Sequence, residues 1–207
     1  MTRSPMRPVL VGACLALAAI LTAGAVAAKP EVGQPAPAFS VADTTGKTWS
    51  LADLAGKGLI LEWTNHDCPY VRKHYESGNM QALQREARDA GYVWLSVISS
   101  APGKQGHVSA AEADELTEGR EAAPTAVLLD VDGAMGRAYG AKTTPHMFVI
   151  DGAGTLVYMG GIDDRATTDP ADVEGAENYV RLAMTDLAAG RAVSNPATRP
   201  YGCSVKY

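Results

Sequence analysis

Cys68 sits within Asn65-His66-Asp67-Cys68-Pro69-Tyr70, between the mostly apolar run Leu59-Ile60-Leu61-Glu62-Trp63 and a segment with helical spacing. A thiol at such a strand-to-helix junction meets unpaired backbone N–H groups and the positive end of the helix dipole. Both favour thiolate over thiol, and the thiolate is the nucleophile. Pro69 fits the first helical position, where its missing N–H costs nothing. A lone cysteine can also be a small buried hydrophobe; the junction favours thiol redox chemistry. Arg72 and Lys73 lie one turn along the helix and could lower the pKa of Cys68, with Asp67 opposing them. For Lys73 a solvated helix face is the simpler expectation.

Cys203 lies 135 positions later, in a tail bearing Pro196, Pro200 and Gly202. Three roles are open to it: a resolving thiol that closes a disulfide on oxidised Cys68, a static clamp on the tail, or an intermolecular bridge. A disulfide closing so long a loop could stabilise the fold by roughly 4–5 kcal/mol in the chain-entropy model, so the clamp is physically reasonable. His66, His74 and His146 could approach Cys68, and a Cys/His group suits copper or zinc. No close metal-ligand spacing repeats, so neither a metal nor another cofactor is expected.

Residues 1–28 read as a signal peptide. Arg3 and Arg7 form a basic start, Val9 to Val26 is apolar, and Ala25-Val26-Ala27 or Val26-Ala27-Ala28 fits a cleavage site. The run is too short and alanine-rich to favour a retained membrane span. Val11-Gly12-Ala13-Cys14 loosely resembles a lipobox, but most of the apolar run follows Cys14, so lipid anchoring there is the weaker reading. Export to the periplasm is expected. Loss of Arg3 and Arg7 takes the basic count from 18 to 16 against 23 acids, a net charge of −7, which disfavours nucleic-acid partners.

The remaining chain suits one domain over 29–190 followed by a tail, 191–207. Strands are expected near Ala38 to Asp43, Gly58 to Trp63, Tyr92 to Ser99, Thr125 to Asp130, Met147 to Asp151 and Leu156 to Ile162. Helices are expected over Pro69 to Ala90, with an interruption at Ser77-Gly78, over Ala110 to Ala122, Ala134 to Tyr139 and Asp172 to Ala189. Alternating strands and helices that end in a hairpin plus helix give an α/β three-layer sandwich, a central mixed sheet flanked by helices.

Four segments resemble the peroxiredoxin-like redoxins of the alkyl hydroperoxide reductase/thiol-specific antioxidant group, which have the thioredoxin fold. They are GQPAPAFSVADTTGKTWSLADLAGK from Gly33, LEWTNHDCPYVRKHY, DVDGAMGRAYGAKTTPHMFVIDGAGTLVYMGGID and the tail TRPYGCSVKY, which is similar to the end of an exported bacterial subgroup. The resemblance implies that Thr144-Pro145 is the cis-proline pair beside the reactive sulfur. It also implies a thiol or disulfide redox partner protein, or a peroxide, as substrate. The chain departs from both parent patterns. There is no CxxC, since Asn65 and Val71 flank Cys68 at three residues; Leu61 and Asn65 stand where peroxiredoxins carry proline and threonine, and Pro145 stands near the position of their arginine. Asn65 could replace that threonine as a hydrogen-bonding group. Asn65, Arg72, Thr144 and Pro145 are therefore candidate substrate-binding residues around Cys68 and Cys203. With the peroxide-assisting groups missing and the cis-proline kept, disulfides are expected to be handled better than peroxides. A permanent Cys68–Cys203 bridge in a non-catalytic binding module and a copper-handling protein are the alternatives.

Overall fold

The computed structural model describes residues 1–2 and 29–207; the leader and the Cys14 reading fall on 3–28, outside the described residues. A hairpin of β1 (Ser40–Ala42) and β2 (Thr48–Ser50) precedes the central sheet. That sheet contains β3 (Leu59–Trp63), β4 (Val93–Ile98), β5 (Ala126–Leu129), β7 (His146–Ile150) and β8 (Leu156–Gly160), in the order β5-β4-β3-β7-β8. Strands β3, β4 and β5 run parallel, and β7 and β8 are antiparallel to their neighbours.

Strand β3 is buried on both faces, which is why its sequence is nearly continuously apolar. Leu59, Leu61 and Trp63 pack on one side with Leu95, Val97, Phe148 and Ile150. Ile60 packs on the other with Cys68, Val71, Met147 and Val149, beneath the helices. The exception is Glu62, which is fully buried on that second face.

The expected helix from Pro69 to Ala90 is two helices, α1 (Pro69–Glu76) and α2 (Asn79–Asp89). Gly78 between them has φ +73°, a left-handed conformation that suits glycine and breaks the helical run. The closing helix α5 (Tyr179–Ala188) starts later than the expected Asp172. Pro170–Val173 forms only a 3-10 turn, Gly175 has φ +75°, and Asn178 caps α5 by accepting from Arg181 N–H at 2.9 Å. Helices α3 (Ala110–Gly119) and α4 (Ala134–Ala138) complete the layers. Among the described residues no helix is long and apolar enough to cross a membrane.

The tail is a strap across one end of the sheet. Thr198 N–H bonds Met159 O at 3.1 Å, and its Oγ1 accepts from Gly161 N–H at 3.0 Å. Cys203–Ser204 forms β9, antiparallel to β6 (Thr143–Thr144) with Cys203 opposite Thr144. Beyond it, Val205 N–H bonds Lys142 O at 3.0 Å and Tyr207 Oη donates to Ala141 O at 2.9 Å.

Candidate active site

The register of the sheet builds the site. Trp63, the last residue of β3, pairs with His146, the first of β7. Pro145 therefore falls beside the loop that runs from β3 into α1. The Thr144–Pro145 bond is cis. Asn65 shapes that loop: its carbonyl accepts from Cys68 N–H at 3.0 Å, and its Oδ1 accepts from Asp67 N–H at 2.9 Å. Its Nδ2 donates to Gln105 O at 3.3 Å. Both ends of the Asn65 amide are thus engaged with backbone.

Cys68 is the N-cap of α1, with Pro69 at the first helical position, and it is fully buried. Its Sγ donates to Thr144 O at 3.1 Å. Burial pushes the Cys68 pKa up, but the Cys203 thiol, the Thr144 side chain and the backbone N–H groups of Cys203 and Val71 outweigh it. The net position lies below the ordinary thiol value. The Thr144 hydroxyl is buried and has no hydrogen-bond partner among the described residues.

Cys203 moves the opposite way. Burial, its hydrogen bond to Cys68 and the Cys68 charge push it up to about 11. Both thiols are unlinked here, Cys68 enclosed and Cys203 half-buried. The pair therefore combines a thiolate-prone sulfur at a helix start with a protonated thiol on the neighbouring strand.

The remaining candidates divide. Thr144 and Pro145 lie at the sulfur. Arg72 is exposed and pairs with Glu76 at 3.0 Å along the outer face of α1, away from the groups that tune Cys68. Lys73 is not on a solvated face: it is fully buried, and its Nζ donates to Arg165 O at 2.5 Å and lies 3.7 Å from Asp163 Oδ2. Its neighbour on the chain, His74, is also buried, held between Asn79 Nδ2 (2.9 Å) and Tyr201 Oη (3.1 Å). Burial depresses His74 and His146 to about 3, so both are neutral across the physiological range. The histidines do not gather on Cys68, and among the described residues no group of three or more His, Cys, Asp or Glu could hold a metal ion.

Asp163 and Tyr201 gave no signal in the sequence. Tyr201 Oη makes a short hydrogen bond to Asp163 Oδ1, which also accepts from Arg165 N–H at 3.0 Å. The only clue available was the position of Tyr201 two residues before Cys203.

The sheet order, the junction cysteine and the cis-proline loop define a thioredoxin fold. A model of the AhpC/TSA family matches residues 32–159, and the chain belongs to that family. Solved structures agree on the fold. An uncharacterized conserved protein from Geobacillus kaustophilus superposes with TM-score 0.74 at 22% identity, covering 86% of this chain and 92% of its own. A hypothetical protein from Sinorhizobium meliloti gives 0.71 at 21%, covering 87% and 96%. A structure named for the thiol:disulfide interchange protein DsbE from Chlorobium tepidum gives 0.51 at 24%, covering 63% and 85%. A search of curated proteins returns no significant match.

Proposed function

We propose that this protein is an exported thiol-dependent oxidoreductase in which Cys68 is the nucleophile and Cys203 the resolving thiol. The observation that carries the proposal is geometric: Cys203 pairs with Thr144 in the sheet, and the Thr144 carbonyl accepts the Cys68 thiol at 3.1 Å, which brings the two cysteines together across 135 residues. The basic and apolar start of the chain supports export, and the periplasm is the compartment that keeps such a pair in redox use.

The Cys68 thiolate attacks one sulfur of a disulfide, forming a mixed disulfide and releasing the other sulfur as thiolate. Cys203 then gives up its proton and joins Cys68, and the bound half of the substrate leaves as a thiol. The substrate gains two electrons and the two cysteines lose them. With a hydroperoxide, the same thiolate takes the terminal oxygen to become a sulfenic acid. The alcohol or water leaves, and Cys203 expels a second water as the disulfide closes. An external thiol restores both cysteines.

Disulfides are the preferred substrates. The oxygen and one N–H of the Asn65 amide are held by backbone and Arg72 faces Glu76, which draws both residues away from polarising a peroxide bond. Losing one such donor typically costs about 10²–10³-fold in rate. The test is to treat the fully reduced protein with one equivalent of a small disulfide or of hydrogen peroxide and follow thiols and mass. A transient adduct on Cys68, followed by a Cys68–Cys203 disulfide that mild reductant reopens, is expected, with the disulfide reacting faster. A bridge that mild reductant leaves intact shows a static clamp instead.

A further inference from the structure

Four polar side chains from three parts of the chain meet beneath the strap, and the chemistry above uses none of them. Lys73 and His74 come from α1, Asp163 from the loop after β8, and Tyr201 from the strap. The first three are buried. Gathering them is costly, because each charged or polar group surrenders water, and an ion pair at 3.7 Å recovers only part of that loss. Apolar residues of similar volume would hold the strap at least as firmly, so the cluster is better explained by the geometry it imposes than by stability.

That geometry converges on one phenol. Asn79 Nδ2 donates to His74 Nδ1, which leaves the proton of the neutral ring on Nε2, 3.1 Å from Tyr201 Oη. The phenol in turn donates to Asp163 Oδ1. Tyr201 thus accepts one hydrogen bond and donates another along a fixed line, while its ring packs edge-on against Tyr70 at 5.9 Å. The Asp163 carboxyl is itself fixed by Arg165 N–H and by the Lys73 ammonium.

Only Gly202 separates Tyr201 from Cys203. Gly202 has φ +128°, and a Cβ there would collide with the Thr144 carbonyl oxygen. The same carbonyl receives the Cys68 thiol. Tyr201 and Cys203 therefore stand on either side of one tightly seated residue.

We propose that Tyr201, gripped by Asp163 and His74, is the positioning residue that aims Cys203 at Cys68 for the resolving step. This rests on the resolving role of Cys203 argued above. The step forms the S–S bond, breaks the bond from Cys68 to the leaving oxygen or sulfur, and sends the Cys203 proton out with the leaving group. Tyr201 touches neither reacting atom; it raises the effective concentration of one sulfur at the other.

The test is the equilibrium of the full-length protein with reduced and oxidised glutathione, which reads that effective concentration. Tyr201→Phe keeps the ring and removes the hydroxyl. It is expected to lower the effective concentration at least tenfold, a rise of about 30 mV in the two-electron potential. Tyr207→Phe removes a strap hydrogen bond remote from the cluster and is expected to stay within twofold of the parent, with both variants matching its circular dichroism. An unchanged Tyr201→Phe, or an equal loss in Tyr207→Phe, overturns the proposal. A parent protein that forms no Cys68–Cys203 disulfide overturns the resolving role first, and this proposal with it.

Discussion

Two buried carboxyl groups, Glu62 and Asp163, face side chains of α1, and they are built differently. Glu62, in the centre of β3, is closed. Its Oε1 accepts from Tyr75 Oη at 2.9 Å, and its Oε2 accepts from Ser96 Oγ at 2.8 Å, Trp94 Nε1 at 2.9 Å and Gln84 Nε2 at 3.2 Å. Asp163, beside the strap, is half open. Oδ1 has two donors, but Oδ2 has no hydrogen bond at all, only the Lys73 ammonium at 3.7 Å and His74 Nε2 at 4.0 Å. A saturated group fixes a unique packing of sheet and helices; a partly unsatisfied one is costly, and persists where something other than stability is served. The protonation directions agree. Burial pushes Asp163 up and Lys73 down, each toward its neutral form, despite their mutual attraction.

Amide substitution breaks this comparison open. Glu62→Gln replaces one acceptor oxygen with a donor in a site where four donors already point inward, so at least one buried donor is orphaned. A loss of about 3 kcal/mol is expected, read from the urea midpoint at unchanged slope. Asp163→Asn is expected to cost less than Glu62→Gln, because its carbonyl can keep Tyr201 and Arg165 and the lost Oδ2 takes no hydrogen bond with it, only the ion pair to Lys73. Lys73 loses its counter-charge in this variant, which drives its pKa, already lowered by burial, further down. Equal losses at the two positions would mean that the open and closed sites are energetically alike.

The smallest expected effect is on acidity and sharpens the comparison at the sulfur itself. Cys203→Ala removes the side chain that does most to hold the Cys68 pKa down, so that pKa should rise toward the ordinary thiol value of about 8.5. Because the thiolate exists above the pKa and is lost as pH falls through it, the variant's alkylation profile should move to higher pH. The measurement is the midpoint of iodoacetamide reactivity at Cys68, normalised to its own high-pH plateau so that easier access does not disguise the shift. A midpoint that stays put would show that the helix start, and not Cys203, sets the acidity.

Much of the fold was legible because it rests on local rules. Continuous apolar runs marked the inner strands and Pro69 and Cys68 marked the start of α1, while the resemblance to the redoxins marked the cis bond at Thr144-Pro145. The helix boundaries were less legible. The break at Ser77-Gly78 was expected, but the late start of α5 depends on Gly175 adopting positive φ, which glycine permits but does not require. Arg72 and Lys73 show the limit within a single turn. Adjacent residues of the same charge, four and five positions after Cys68, end one exposed against Glu76 and the other fully buried against Asp163.

By itself, then, the sequence determined the run of strands and helices and the cysteine at the start of α1, which follow from neighbours within a few residues, and its resemblance to the redoxins marked the proline loop. Only the tertiary structure decided the rest. Cys203 and Tyr201 reach the Cys68 helix because the strap crosses the sheet end and pairs Cys203 with Thr144, and Asp163 meets them from the loop after β8. A tail without periodicity contains no local signal of where it docks. Its path is fixed by hydrogen bonds to backbone that exists only once β6, β8 and α1 have assembled.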